Sequence, residues 1–177
     1  MAFCEDIQFD KRIKNEKREK RFVINFSLAY NSICAYSACW IPTDYTVDHF
    51  LPRTHYPRLA YEWDNNRLSC ARINQKKGDK IGILDPFSIK PGWFVLDCAS
   101  FYVHPGEALQ MALVGQIRYT IDTLDLNCDS LVEMRFNVTR DYSQGNINLV
   151  FLQSRYPFVG LELRRQNLVR TIIGAIK

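Results

Sequence analysis

An aspartate and a histidine stand side by side in the stretch TVDHF, residues 46–50, and no other Asp-His pair occurs in the chain. A carboxylate such as Asp48 can bind a metal ion, and the imidazole of His49 can accept a proton at neutral pH. The surrounding DYTVDHF alternates and is rich in β-forming residues, which predicts a strand with these two side chains on opposite faces. The pair is therefore either a metal ligand beside a general base or two polar residues on an ordinary strand.

Two asparagines continue the pattern downstream. Asn65 lies in WDNNRLSC and Asn74 in CARINQKKG, where a Lys-Gly pair follows the second asparagine. Each residue taken alone is common in turns and caps. In this order, DH…N…N..KG over about residues 34–80, the sequence resembles the HNH nuclease family. The longer stretch VDHFLPRTHYPRLAYEWDNNRLSCARINQKKGD is similar to a bacterial subgroup of that family, and the likeness continues from DPF into the C-terminal half.

The resemblance implies a ββα-metal site and metal-dependent hydrolysis of phosphodiester bonds in DNA. Asp48 and Asn74 match the family's metal ligands, and His49 matches its general base. Asn65 matches the middle asparagine, which in the family tethers the loop and helps to orient the histidine. Because Asp and Asn provide hard oxygen ligands, we expect Mg²⁺, with Mn²⁺ able to substitute. Asp48 and Asn74 should then converge on one ion, with His49 reaching the cleft from the other side.

Basic side chains next to these positions are candidate contacts to substrate phosphates. They are chosen by proximity in the sequence alone, and they are Arg53, Arg72, Lys76 and Lys77. The remaining two histidines receive no role. His55 lies in the loop at a position that the subgroup pattern does not fix, and His104, before a proline, is predicted in a turn.

Many HNH proteins hold a structural zinc ion between two CxxC pairs, and this chain departs from that pattern. The first pair is replaced by CAYS, with Ser37 in the place of the second thiol, and the second by CARI, with Ile73 in that place. Cys34, Cys70 and an off-register Cys39 remain, which do not complete a tetrahedral set of zinc ligands. We expect apolar packing here rather than structural Zn²⁺, with helical flanks holding the centre.

The elements predicted around the motif give an α+β fold, a small ββα core embedded between helices. Residues 5–33 are predicted to be helical, with apolar residues at helical spacing. The core follows as a strand in DYTVDHF, a long structured loop, a strand in RLSC and a short helix in ARINQKK that stops at Gly78. A brief strand is predicted in DPFSIKPGWFVLD, and helices after HPGE, over about residues 129–142, and from Pro157 onward.

These elements suggest three regions packed as one unit. They are an N-terminal helical arm at 1–33, a nuclease core at 34–85 and a mainly helical region at 86–177. With 177 residues, of which 47% are hydrophobic, the chain has ample material for one packed core.

Composition and charge indicate where the protein is expected to be located and what it is expected to bind. The sequence contains no apolar run long enough for a membrane span and no apolar signal core, so we expect a cytoplasmic protein with reduced cysteines. The net charge is +4, and the basic residues cluster in 11–21, in RINQKKGDK and in LELRRQNLVR. Such clusters are either phosphate-binding faces or the solvated sides of helices.

Two classes of function remain open from the sequence. The first is an endonuclease acting on DNA, with RNA as an alternative because the site contacts phosphates rather than bases. The second is a subunit that is active only within a complex, since members resembling this subgroup often occur in bacterial anti-phage defence, paired with an ATPase or a sensor. A homodimer is a further expectation, since two-fold dimers are the commonest assembly. No recognition helix is apparent, so we expect little sequence specificity.

Overall fold

The computed structural model of the chain describes the backbone of residues 18–173 and the side chains from residue 23 onward. The start of the predicted N-terminal helix and the side chains of the basic cluster at 11–21 therefore lie outside the described residues. Helix α1 spans Arg18–Ala29. It ends earlier than residue 33 because Asn31 and Ser32 adopt left-handed backbone angles, with φ of 51° and 55°, which an α-helix does not accommodate.

A strand, a second strand and a short helix form the centre of the molecule, as the sequence predicts. Strand β1 spans Tyr45–His49, strand β2 spans Asn66–Cys70, and helix α2 spans Ala71–Lys77. The helix stops at Gly78, which has a φ of +51° and whose N–H donates to the carbonyl of Asn74 at 2.9 Å. The α+β class is confirmed.

The two strands are antiparallel, and their register fixes which side chains meet. Tyr45 pairs with Cys70, and His49 pairs with Asn66 at the other end of the ladder. The long connection between the strands contains two short 3-10 turns, Pro57–Leu59 and Trp63–Asn65. Because β2 passes directly into α2, the helix packs back against both strands.

A second two-stranded sheet follows the central unit. Strand β3 spans Phe94–Leu96 and pairs antiparallel with β4, Val103–Pro105. The prediction that His104 lies in a turn is wrong, because it pairs with Val95 within this ladder. The His-Pro signal was misleading here because β4 is a short edge strand, where a proline without an N–H is tolerated at the strand end.

The C-terminal region is helical, as expected from its periodicity. Its helices are α3 (Met111–Leu124), α4 (Asp129–Ser143), α5 (Leu149–Arg155), α6 (Pro157–Arg165) and α7 (Leu168–Thr171). Pro157 occupies the first turn of α6, as predicted. It does not begin the last helix, since Asn167, with a φ of 58°, turns the chain into α7. None of the helices within residues 18–173 is long and apolar enough to cross a membrane.

The hydrophobic core joins the central unit to these helices. Ile73 of α2 and Cys34, which lies between α1 and β1, are buried in one cluster. The same cluster contains Ile117, Leu124 and Leu163 from the C-terminal helices. Helix α2 also packs directly against α3. The apolar side of the central unit is therefore covered by the C-terminal helices. The side chains that could do chemistry lie on its polar side.

Arg67 fixes the central unit to the chain that follows it. Its side chain is 2% exposed and makes a two-pronged contact with Asp85, at 2.9 Å and 2.8 Å from Nη2 to the two carboxylate oxygens. Nη1 donates to the carbonyl of Asp64 at 2.7 Å, and the guanidinium lies 4.0 Å from the centre of the Phe87 ring. The buried cation thereby holds β2, the end of the long loop and the segment after α2 in one arrangement.

We expect Arg67→Met to lower the free energy of unfolding by roughly 2–4 kcal/mol, because it leaves a carboxylate and buried carbonyls without their donor. Arg72→Met is the matched control, since Arg72 also pairs with an aspartate, Asp125, but is 41% exposed. That change should cost at most about 1 kcal/mol. Urea denaturation of both variants measures the difference, and equal losses would contradict a structural role for Arg67.

Candidate catalytic site

The polar side of the central unit is built where β1 faces α2. Thr46 and Asp48 are two positions apart on β1 and so lie on one face of the strand. Asn74 and Lys77 are three positions apart on α2 and so share one face of the helix. Asn74 Nδ2 donates to Thr46 Oγ1 at 2.9 Å, and Lys77 Nζ donates to Asp48 Oδ1 at 3.0 Å.

Asp48 is held in place from two sides. It is 4% exposed, and Lys77, which contacts its Oδ1, is fully buried. The hydroxyl of Tyr36 donates a short hydrogen bond to the other carboxylate oxygen, Oδ2. Burial, together with the charge of Asp48, raises the pKa of Tyr36 well above its usual range, so the phenol stays protonated and keeps donating. The carboxylate thus has one fixed orientation and a neutralising cation.

His49 lies on the other face of β1 and is oriented by the long loop. Its Nε2 is 3.0 Å from the carbonyl oxygen of Ala60. Because a carbonyl can only accept, this contact requires the proton on Nε2, and the neutral ring then keeps its lone pair on Nδ1. Lys77 also donates to the backbone carbonyl of His49, at 2.7 Å, so the backbone that carries the ring is fixed from the helix side. Nδ1 is therefore the atom of His49 available to accept a proton.

Asn65 closes the base of the loop. Its Oδ1 accepts from the N–H of Leu51 at 2.7 Å, and its Nδ2 donates to the carbonyls of Leu51 at 3.0 Å and Leu59 at 3.2 Å. The side chain is buried, so these bonds replace the water that the amide would otherwise bind. Since Leu59 adjoins Ala60, Asn65 acts on His49 through the backbone rather than by direct contact.

The residues predicted to bind metal occupy the same interface but contact different partners. Asp48 is engaged by Lys77 and Tyr36, whereas Asn74 is engaged by Thr46. The donor chemistry fits a hard divalent cation, because Asn74 uses only its Nδ2 in that bond and keeps its oxygen for a ligand. A carboxylate has about four lone-pair positions, so the two donors on Asp48 leave others for a metal. Convergence of the two residues on one ion stays a prediction.

The basic residues predicted to contact phosphates differ in their placement. Arg53 is exposed and forms no ion pair with another side chain among residues 23–173. Arg72 and Lys76 are exposed but both contact Asp125, at 2.6 Å and 3.1 Å, which offsets part of their charge. A phosphate contact by Lys77 does not agree with the structure, because its ammonium is buried against Asp48. Sequence proximity missed that Lys77 lies on the inner face of α2.

The cysteines predicted to lack zinc lie near one another. The N–H of Cys34 donates to the carbonyl of Cys39 at 2.9 Å, and Cys39 Sγ donates to the carbonyl of Ser37 at 3.1 Å. Burial raises the pKa of Cys39 to about 12, which keeps that thiol protonated. In the part of the chain that the structure describes, no three His, Cys, Asp or Glu side chains form a metal-binding group. The expectation of apolar packing instead of structural zinc stays a prediction.

Comparison with known proteins finds a relative that matches part of the chain. No family model matches the chain. The chain is similar to Septu protein PtuB of Bacillus thuringiensis, with 41% identity over 112 residues that cover 59% of this chain and 41% of that protein. The chain therefore spans about two fifths of the length of this relative.

The sequence does not predict the contacts by which Tyr36, Lys77 and Ala60 hold Asp48 and His49 in place. Tyr36 lies in CAYS, a stretch whose sequence pattern concerns only the missing zinc ligand. Nothing in the residues around Tyr36 indicates a contact with Asp48. Lys77 could have been found, because it stands three residues after Asn74 on a predicted helix and so shares its face. Ala60 contributes through its backbone carbonyl, which no residue type reveals.

We expect Lys77→Met to destabilise the fold by roughly 3–5 kcal/mol, because it leaves the Asp48 carboxylate buried without its cation. The double variant Asp48→Asn/Lys77→Met should recover much of that loss, since the buried charge is then gone as well. Chemical denaturation of the wild type, both single variants and the double variant gives the coupling energy. Additive losses, with no recovery in the double variant, would contradict a direct buried pair.

Proposed function

We propose that the chain is a metal-dependent HNH endonuclease that hydrolyses phosphodiester bonds in DNA as a component of a bacterial anti-phage defence system. The observation that carries the proposal is the arrangement around β1. His49 lies on one face with its Nδ1 free to accept a proton, and Asp48 lies on the other face, the face that α2 contacts through Asn74 and Lys77. Hydrolysis of a phosphodiester needs an activated water and stabilisation of the charge on phosphate oxygens, which are separate tasks for separate groups.

In this proposal His49 is the general base. The bond from Nε2 to Ala60 fixes the tautomer and the ring plane, so that Nδ1 takes the proton of the attacking water. The carbonyl of Ala60 also stabilises the imidazolium that forms, because it accepts from the N–H that becomes more acidic. Asn65 positions this carbonyl through Leu59 and is therefore a positioning residue rather than a catalytic one.

Asp48 and Asn74 would hold a single Mg²⁺, which Mn²⁺ can replace. When bound, the metal supplies Lewis-acid stabilisation of the phosphate and of the leaving oxygen. Tyr36 and Lys77 orient the Asp48 carboxylate and limit its negative charge. A site with one carboxylate and an amide suits a metal that shares its remaining positions between water and substrate phosphate.

The defence role rests on the similarity to Septu protein PtuB. This chain spans about two fifths of that relative, so association with a partner protein is a further part of the proposal. A DNA substrate is proposed over RNA on the resemblance to HNH nucleases, and RNA is an arm of the test below.

The direct test is cleavage of supercoiled plasmid, of single-stranded DNA and of labelled RNA in Mg²⁺, in Mn²⁺ and in EDTA. His49→Ala should slow metal-dependent cleavage by about 10²–10⁴-fold, the usual contribution of a general base. His55→Ala is the matched control, because His55 is an exposed histidine of the same loop and should keep the wild-type rate. Equal activity in wild type and His49→Ala would refute the role of His49.

A second candidate function is supported by α1, namely a nuclease subunit that is active only when bound to a partner ATPase or sensor. Ile24 and Leu28 are one helical turn apart and are 50% and 69% exposed. Two large apolar residues that share an exposed helix face are typical of a surface that another protein covers.

If the partner-bound form is the active one, the chain purified alone should be inert, while protein co-purified after expression from its native locus should cleave. Ile24→Asp/Leu28→Asp should remove both co-purification and cleavage, because charges disfavour an apolar interface. Val150→Asp is the control, since Val150 is 74% exposed and lies at the start of α5 rather than on α1. Full activity of the isolated chain would exclude this version.

A further inference from the structure

The loop between β1 and β2 presents an aromatic side chain to solvent beside the candidate site. Tyr61 is 98% exposed, more than any other large hydrophobic or aromatic residue in the described part of the chain. Tyr56, in the same loop, is 39% exposed. A single exposed ring is common on protein surfaces, but its open face is available for a base or another ring to stack on when charged groups of the same loop favour a ligand there.

The backbone beneath Tyr61 is held by hydrogen bonds on both sides. The N–H groups of His55 and Tyr56 donate to the carbonyl of Pro52 at 3.0 Å and 2.8 Å. The N–H of Glu62 donates to the carbonyl of Leu59 at 3.1 Å, and the Asn65 amide closes the loop base. The backbone that carries Tyr61 is therefore ordered, so stacking on the ring costs side-chain rotamer freedom but little backbone conformational entropy.

This stretch of backbone adjoins the atom that orients the general base. His49 Nε2 contacts the carbonyl of Ala60, and Tyr61 is the next residue, with its Cα about 3.8 Å from that of Ala60. Two arginines of the same loop, Arg53 and Arg58, are exposed, and neither forms an ion pair with a carboxylate among residues 23–173, whose side chains the structure describes. Exposed guanidinium groups in the same loop as an exposed ring have the chemistry of a surface that takes phosphates and a base.

We infer that Tyr61 stacks against an unpaired base of a single-stranded nucleic acid, while Arg53 and Arg58 contact the flanking phosphates. This inference rests on the proposed nuclease function and names the substrate class of that site. In a duplex, both faces of an internal base are covered by neighbouring base pairs, so the ring cannot stack on one. The substrate is therefore a single strand, a flap or a melted end rather than an intact duplex.

The test measures binding apart from cleavage. The affinity of the full chain for a fluorescein-labelled single strand and for the matching duplex is followed by anisotropy in EDTA, which prevents metal-dependent hydrolysis. Tyr61→Ala should weaken binding of the single strand by about 5- to 150-fold, the range expected for one stacked base. Tyr61→Phe keeps the ring and should retain nearly all of the affinity.

Tyr102→Ala is the matched control, because Tyr102 is a 48% exposed tyrosine beside β4, away from the loop. It should bind like the wild type. Arg53→Ala and Arg58→Ala should each lower the slope of log affinity against log salt by about 0.7, because each removes one phosphate contact to a single strand. Parallel arms with single-stranded DNA and single-stranded RNA identify the source of the strand.

Unchanged single-strand binding in Tyr61→Ala would overturn the inference, as would tighter binding of the duplex by the wild type. Loss of a co-purifying protein in Tyr61→Ala, with strand binding intact, would also overturn it and would assign the ring to a protein interface. Failure of the endonuclease proposal looks different, since His49→Ala would then cleave like the wild type whatever Tyr61 does. Loss of cleavage with retained strand binding in His49→Ala, together with loss of strand binding in Tyr61→Ala, would support both.

Discussion

The buried ion pair between Asp48 and Lys77 is the interaction on which the centre of the molecule depends. It crosses from β1 to α2, and both side chains are almost inaccessible to solvent. Two charges removed from water are stable only when each is fully satisfied, and here Tyr36 and the carbonyl of His49 complete the set. The same contacts fix the strand that carries the candidate base and the helix that carries Asn74, so fold and site share one interaction.

Much of this arrangement could be predicted from residue types and spacing. Alternation in DYTVDHF predicts β1, and the short apolar-polar run before Gly78 predicts α2 with its correct end. The opposite faces of Asp48 and His49 follow from strand geometry alone. These predictions succeed because local periodicity and a glycine with positive φ are encoded within a few residues.

The rest depends on contacts between distant segments. Tyr36 reaches Asp48 across a turn whose path depends on left-handed residues such as Ala38, with a φ of 51°, which residue type does not reveal. Helix spacing predicts that Lys77 shares a face with Asn74, but the burial of its ammonium against Asp48 depends on the packing of α2 against β1. The edge strand at His104 was missed for a similar reason, since its pairing partner lies in another segment. Sequence proximity therefore identified the region of the site but not which cations face it.

The carbonyl of Ala60 has a consequence for how this site can change. It accepts the hydrogen bond from the Nε2–H of His49, and it belongs to the same stretch of backbone that carries Tyr61. The loop is thus not an exchangeable attachment to a fixed candidate site, because any insertion or deletion that alters the side chains it displays also shifts the hydrogen-bond acceptor of the histidine. Variation in this loop should be confined to side chains that leave its backbone path intact, and a change of loop length would require a new anchor for the imidazole.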